Sequence, residues 1–479
     1  YASFDAAIDA YATTPNVTLT LSSYMHVGVS KTVPTNVSLV FMRGGLLYIG
    51  SGITLTFNSC PQAGRWQIFD ADDVTTGKVR FATGRGTCRD VYPEWWGARA
   101  DGTSTGNAPD GTDNYLPFKS AIESIKDAEA KRPFISLTGG LYWINGQVVL
   151  YDDIKIVGTG PRNTFVYYSG TTVQDFFVTA NSAADENIEI RDMTIGGGQF
   201  QKGRARYTFY ATTLQRNSGL FNVALREGLG CIRVDTAHYA QFDTLFLGPT
   251  VPSQLTNGAT ATQYQEVYSA NVAPIAFISG NGMSLKKFHI SGVQTTADDG
   301  GGNANHVVII GGVAIHAEAW TVENIGSLKV PQQAITLKTA QIVFNGLYFE
   351  GVEAANYLVS SIDKSYVEIH GGFFYNSKAE VSALFSQAIG DMSITNSIFY
   401  RMFAQRATNT SSTTYGAGGA IIAENVTWVS GERVTDAGVN GDTNNVFDTF
   451  GTNWPFGATS EPVGDIRFHG TQRNYLRAV

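Results

Sequence analysis

QIVFNGLYFEG (341–351), YVEIHGGFFYN (366–376) and DMSITNSIFYR (391–401) are three copies of one pattern, and the fold follows from it. Laid over one another, they place Ile342, Phe344 and Tyr348 above Val367, Ile369 and Phe373, and these above Met392, Ile394 and Ile398, every step being 25 residues. Each stretch alternates apolar and polar residues and is interrupted by Gly or Asn, the pattern of short strands separated by turns. A period in the twenties with no helix in the repeat means stacked coils, each burying its inward side chains against its neighbours. On the C-terminal side, the next copy, carried by Ala423 and Thr427, comes 29 residues later; on the N-terminal side, the preceding one, carried by Trp320 and Val322, comes 22 residues earlier. Weaker copies centre on Ile190, Phe221 and Phe242, at steps of 31 and 21. A β-propeller repeats at about 40–45 residues and a leucine-rich repeat needs Leu at fixed offsets, whereas the inward positions here mix Ile, Phe, Val, Tyr and Met. The reading is an all-β chain built on a right-handed parallel β-helix.

Composition agrees. At roughly 150 residues per domain, 479 residues allow about three compact domains or one long repetitive one. Charged residues are 15%, against a norm of about 25%, and Gly is abundant at 52 positions, which excludes a coiled coil, a helical bundle and a disordered chain. Helical periodicity is confined to 3–11, with Phe4, Ala7, Ile8 and Tyr11 on one face, and 116–131, with Phe118, Ala121, Ile122, Ile125 and Ala128 on one face. The net charge of −8 supplies no positive field for nucleic acid. The longest apolar run, 306–320, is broken by Gly311 and Gly312 and is too short to span a bilayer, so no membrane insertion is expected. Cys60, Cys88 and Cys231 are too few and scattered for a disulfide framework and are expected to be reduced and mostly buried. The chain starts at Tyr1 without a signal pattern and reads as trimmed at its start.

The stretch VYPEWWGARADGTSTGNAPDGTDN (91–114) reads bottom-up as a plug: Trp95 and Trp96 bury flat surfaces against the open end of the coil stack, and Asp113 is placed to cap the following helix. It also resembles the start of the pectate-lyase-like β-helix in bacteriophage tailspike and capsule (exopolysaccharide) depolymerase proteins. In that family a Pro-Glu-Trp-Trp-Gly-Ala segment leads to Asp-Gly, a Thr-Asp-Asp-Thr-like turn and a capping helix. Here Pro93 to Ala98, Asp101-Gly102 and Thr112-Asp113-Asn114 take those places, with a longer insertion between Asp101 and Asp113. The run VSLVFMRGGLLYIGSGITLTFNS (37–59) resembles the small β-rich domain that precedes the helix. The resemblance covers residues 1–135 by motif and the rest by coil architecture. It implies a small N-terminal β-rich domain over 1–90, a capping segment over 91–135, a polysaccharide-binding β-helix over 136–435 and a C-terminal capping or trimerising piece over 436–479. It further implies a homotrimer in the virion tail, joined to other tail proteins through a missing N-terminal region and acting on bacterial surface polysaccharide outside the cell.

No phosphate loop, nucleophile elbow or zinc-protease motif is present, and the Gly runs at 196–198 and 300–302 precede no helix. What remains are acidic residues on coil faces. Glycoside cleavage needs two carboxylates about 5–5.5 Å apart for retention or about 6.5–9.5 Å for inversion, and neighbouring strands stand about 4.8 Å apart. The steps above align Glu318 with Ala340 and Ser365, and His316 with Lys338 and Asp363. Glu350 aligns with Tyr375 and Tyr400, a carboxylate heading an aromatic ladder. The polar loop 295–306 brings Asp298 and Asp299 out before the coil that carries His316 and Glu318, although adjacent Asp residues beside Gly equally favour a turn.

The candidate catalytic residues are therefore Glu318, Glu350 and Asp298, and the candidate substrate contacts His316, Trp320, Lys338, Tyr375 and Tyr400. Glu323 aligns with Asn345 and His370 at a coil corner, where a polar turn is expected. Hydrolysis requires no cofactor, and no metal site is expected, although the turn 110–114 has the residue types to hold Ca²⁺ weakly. Three functions remain open: a polysaccharide hydrolase, a lyase on the same fold using His316, Lys338 and Tyr348, and a noncatalytic receptor-binding fibre.

Overall fold

The computed structural model describes residues 3–71, 77–82, 88–103, 109–126, 132–180, 186–198, 205–248, 273–292, 306–325, 331, 333–354, 356–400, 403–410, 420–424, 427–429 and 466–469. The chain coils as a parallel β-helix. One inward column runs from Val91 through Ile135, Ile156, Ile190, Leu220, Phe242, Leu285, Ala317, Phe344 and Ile369 to Ile394, each residue paired in parallel register with the next. All are buried in one core cluster that also takes in Phe4 and Trp95. The hand follows from the right-handed crossover that parallel neighbours require.

The 25-residue steps hold: Ile342 pairs with Val367 and Val367 with Met392, while Tyr348 pairs with Phe373 and Phe373 with Ile398. The side they face is corrected for the second set: Tyr348, Phe373 and Ile398 point outward, and their neighbours Leu347, Phe349, Phe374 and Phe399 take the buried places, because the left-handed corner before them shifts the alternation. The 29-residue step to Ala423 and Thr427 holds as well. Two expected steps are wrong. Ile190 lies beside Leu220, not Phe221, so the steps are 30 and 22 rather than 31 and 21. Phe221 faces outward under the Arg191 guanidinium, 5.5 Å from its ring, because a one-residue slip in a strand reverses the side it faces. Trp320 pairs with Leu347 and Ile315 with Ile342, a step of 27 rather than 22. The inward pair of that coil includes Ala317, whose small side chain is a faint signal beside Trp320.

The first unit is β-rich as expected, and its strands are themselves parallel coils: Val17 pairs with Val37, Tyr24 with Leu46, Leu47 with Phe69 and Thr54 with Lys78. The opening helix covers Phe4–Tyr11, with the Ser3 hydroxyl accepting from Ala6 N at its start. Trp95 and Trp96 are buried as read from the sequence. Between them and the first coil, the buried Glu94 accepts from the Tyr142 hydroxyl (2.8 Å) and the Thr138 hydroxyl (3.1 Å). Burial and the nearby Glu94 charge push the Tyr142 hydroxyl well above the ordinary tyrosine range. The capping helix is Tyr115–Ile125 and buries Phe118, Ala121, Ile122 and Ile125. Asn114, not Asp113, holds the N-cap position; Asp113 accepts from the first helical N–H, Tyr115, and from Asn145 N. Of the C-terminal piece 436–479, only the strand Ile466–His469 lies among the described residues, antiparallel to Ala420–Glu424.

The cysteine expectation is corrected. Cys60 and Cys88, 28 residues apart, form a disulfide across the first unit, and only Cys231 is free and buried. Coiling brings the two together, which their sequence separation does not reveal. Closing a loop of this length stabilises by about 3.6 kcal/mol in the chain-entropy account. Dithiothreitol is therefore expected to lower the urea midpoint of the earliest unfolding transition; an unchanged midpoint would count against the bridge.

Candidate functional site

The site forms on a short outward face between two stacked corners. Lys287, Ala319, Gly346, Gly371 and Asn396 all take φ between +51° and +74° and line up at the first corner. Gly292, Asn324, Gly351 and Asn376, also left-handed, do so at the second. Each left-handed residue turns a corner, so the intervening strand, 320–323 in one coil and 347–350 in the next, has room for two inward and two outward residues. Trp320 and Val322 fill the interior, as do Leu347 and Phe349. The outward places form two columns: His289, Thr321, Tyr348 and Phe373 in one, and Ser291, Glu323, Glu350 and Tyr375 in the other.

Glu323 and Glu350 are thus direct register partners on neighbouring coils. At the strand spacing of about 4.8 Å, two such side chains reach the separations that either stereochemical route of glycoside cleavage requires. Each carboxyl has its own partner. His289 Nε2 lies 2.9 Å from Glu323 Oε1, and the Tyr348 hydroxyl donates to Glu350 Oε2 at 2.7 Å. That bond to an anion, followed by burial and the Glu350 charge, pushes the Tyr348 hydroxyl up to about 12, so it stays protonated and donating near neutral pH. Aromatic rings continue the face on both sides. Tyr348 stacks on Phe373 (5.5 Å, 5°) and Phe373 on Tyr375 (6.5 Å, 24°), while Phe246 sits beside His289 at 5.6 Å. Rings of this kind offer apolar edges and faces to the C–H surfaces of a sugar. Among the described residues no group of three or more His, Cys, Asp or Glu is arranged to hold a metal ion.

The residues read from the sequence separate in the structure. Glu350 keeps its expected ladder, pairing with Tyr375 and through it with Tyr400, whose side chain lies outside the described residues. Glu318 does not align with Ala340 and Ser365: its register partners are Lys286 and Asn345, it is exposed, and Lys286 Nζ lies 3.4 Å away. It precedes the Ala319 corner and so faces away from the Glu323 strand. His316 pairs with Ser284 and Val343, and Lys338 with Gly311, so the expected His316–Lys338 column does not exist. Trp320 is no substrate contact. It is 1% exposed, inside the coil, with its indole N–H donating to Leu285 O at 2.9 Å. Asp298 and Asp299 lie outside the described residues.

Glu323 is not paired with Asn345 and His370; correcting the 22-residue step to 27 carries it from the turn to the centre of the site. His289 belongs to none of the repeats and motifs named above. A signal is nevertheless present: Leu285, Phe288 and Ile290 repeat Ala317, Trp320 and Val322 at a step of 32, which sets His289 beside Thr321 and two residues from the Glu323 column.

The molecule is therefore a parallel solenoid with an outward face on which two carboxylates stand in register among aromatic rings. No protein-family model matches the chain, and no curated protein does. Solved structures do. It is similar to the ORF18 protein of Geobacillus virus E2 (12% identity, 71% of this chain and 62% of that one, TM-score 0.35). It is similar also to a tailspike of Acinetobacter phage vb_AbaP_AS12 (13%, 72% and 63%, 0.45) and to an exopolygalacturonase from Thermotoga maritima (13%, 71% and 92%, 0.40). The match spans less than two thirds of the length of each of the two viral proteins. No helix among the described residues is long and apolar enough to cross a membrane.

Proposed function

We propose that this chain cuts bacterial surface polysaccharide by glycosidic hydrolysis on the 320–323/347–350 face, as part of a trimeric phage tailspike acting outside the cell. One observation carries the reading: Glu323 and Glu350 are in register on adjacent coils, each with its own hydrogen-bond partner, among exposed and half-buried rings. Glu323, beside His289, gives a proton to the oxygen of the departing sugar. Glu350, accepting from Tyr348, either draws the proton from an attacking water or attacks the anomeric carbon itself; water then completes the cleavage. Preorganised carboxylates on a rigid coil stack suit the positive charge that develops at that carbon.

A lyase needs a base beside a cation that neutralises a uronate. His316, Lys338 and Tyr348 stand in three different columns, which favours hydrolysis. A receptor-binding fibre would bind without forming product. The expected result, read by mass spectrometry on a panel of purified capsules and O-antigens, is oligosaccharides carrying one added water. Unsaturated products would establish a lyase, and tight binding without product would establish the fibre.

A further inference from the structure

We propose that Arg226 forms an anion subsite of the same face, so that the polysaccharide taken is an acidic one bearing a carboxylate well away from the bond that is cut. This rests on the hydrolytic reading of Glu323 and Glu350. Arg226 stands in the carboxylates' own outward column: it pairs with Gly248, Gly248 follows the Leu247–Ile290 pair and so lies beside Ser291, and Ser291 pairs with Glu323. A Cβ placed on Gly248 would come 3.7 Å from Ser291 O, a measure of how close the two coils run there. Three coil steps separate Arg226 from Glu323, about 14 Å at the spacing of parallel strands, a length that takes several sugar units.

The chemistry along that length is graded. Phe246, 38% exposed, lies on the same strand as Gly248 and beside His289, so a sugar over the Gly248–Ser291 floor meets a ring on one side. Arg226 is exposed and makes no ion pair with any described residue. Arg191, Arg206 and Arg233 on nearby coils are each neutralised, by Glu189, Asp175 and Asp235. A guanidinium with no carboxylate partner among the described residues presents a planar fork matched to a carboxylate from outside. The chain's net charge of −8 repels an acidic polymer as a whole, so a local cation decides where its anionic groups are accepted.

The test reads binding on the E350Q variant of the whole 479-residue chain, which holds substrate uncut, against purified acidic and neutral capsular polysaccharides in native and carboxyl-reduced forms. An acidic member is expected to bind, and carboxyl reduction to weaken that binding about tenfold, the loss expected for one charged hydrogen-bonding contact. Adding Arg226→Gln should produce the same loss on the native polymer and none beyond it on the reduced one, with Arg226→Lys in between. Binding confined to neutral members, binding to no member, or equal binding by parent and R226Q would each overturn the subsite. Its failure is separable from that of the hydrolytic reading. Wild-type protein that releases no product while the Arg226 effect persists refutes hydrolysis alone, and product release with no Arg226 effect refutes the subsite alone.

Discussion

Replacing Glu350 by Gln is expected to lower kcat by about 10²–10⁴-fold, the usual contribution of a positioned acid or base, while leaving the thermal midpoint and polysaccharide binding close to wild type. The amide keeps the volume of the side chain, and its carbonyl still accepts from Tyr348, so the stacked wall of Tyr348, Phe373 and Tyr375 stays in place. What is lost is the ability to take a proton or attack carbon. Glu323→Gln should cost a similar factor, and the double variant little more than either single one, because two groups that serve one transition state do not contribute additively. Glu318→Gln is the control: on the far side of the Ala319 corner, beside Lys286, it should keep kcat within about twofold, the scale of an exposed ion pair. If either E323Q or E350Q retained more than a tenth of wild-type kcat, the paired-carboxylate mechanism would fall. If E318Q were the damaging change, the reactive face would lie before the corner instead of after it.

The second large effect concerns Trp320. Truncation to Ala should destabilise the coil stack by about 3–5 kcal/mol, the range for removing a fully buried aromatic ring. Its indole stacks on Phe288 (4.7 Å, 16°) and meets Phe344 edge-on (5.6 Å), so truncation opens a void across three coils and leaves Leu285 O without its donor. Trp320→Phe keeps the stack and loses the hydrogen bond, and should cost markedly less. The readout is the urea midpoint by tryptophan-independent circular dichroism, set beside KM at a temperature where the variant is folded. A sugar-contacting Trp would give the opposite signature, a raised KM at unchanged midpoint, and that result would return Trp320 to the outward face.

Glu350 and Trp320 also mark how far periodicity reaches. Ile342, Val367 and Met392 repeat at 25 because each coil there has the same number of residues, and so Glu350, Tyr375 and Tyr400 align from their spacing alone. One coil earlier the step changes to 27, and the alternation of apolar residues is satisfied equally well by a register in which Trp320 lies under Ile342. The left-handed residue at Ala319 causes the ambiguity. It resets which side of the strand faces inward, and an alanine carries no sequence mark of that conformation as a glycine would.

The resemblance of 91–114 to a tailspike segment rests on local features, two buried tryptophans and a helix that follows them. It carries no information about an outward face more than two hundred residues away. Cys60 and Cys88 follow the same logic: each is unremarkable locally, and only the rise of the coils sets them side by side.

Strand alternation, coil period and turn residues act over a few residues at a time, and they suffice to specify the solenoid, the buried tryptophans and the ladder that Glu350 heads. They do not reach the rest of the site. That Glu323 rather than Glu318 stands beside Glu350, that His289 and Tyr348 hold the pair, and that Trp320 supports the face from inside emerge only when the coils are stacked. Each depends on how many residues a coil takes to go once around, a quantity set by corner conformation and by the packing of the whole stack.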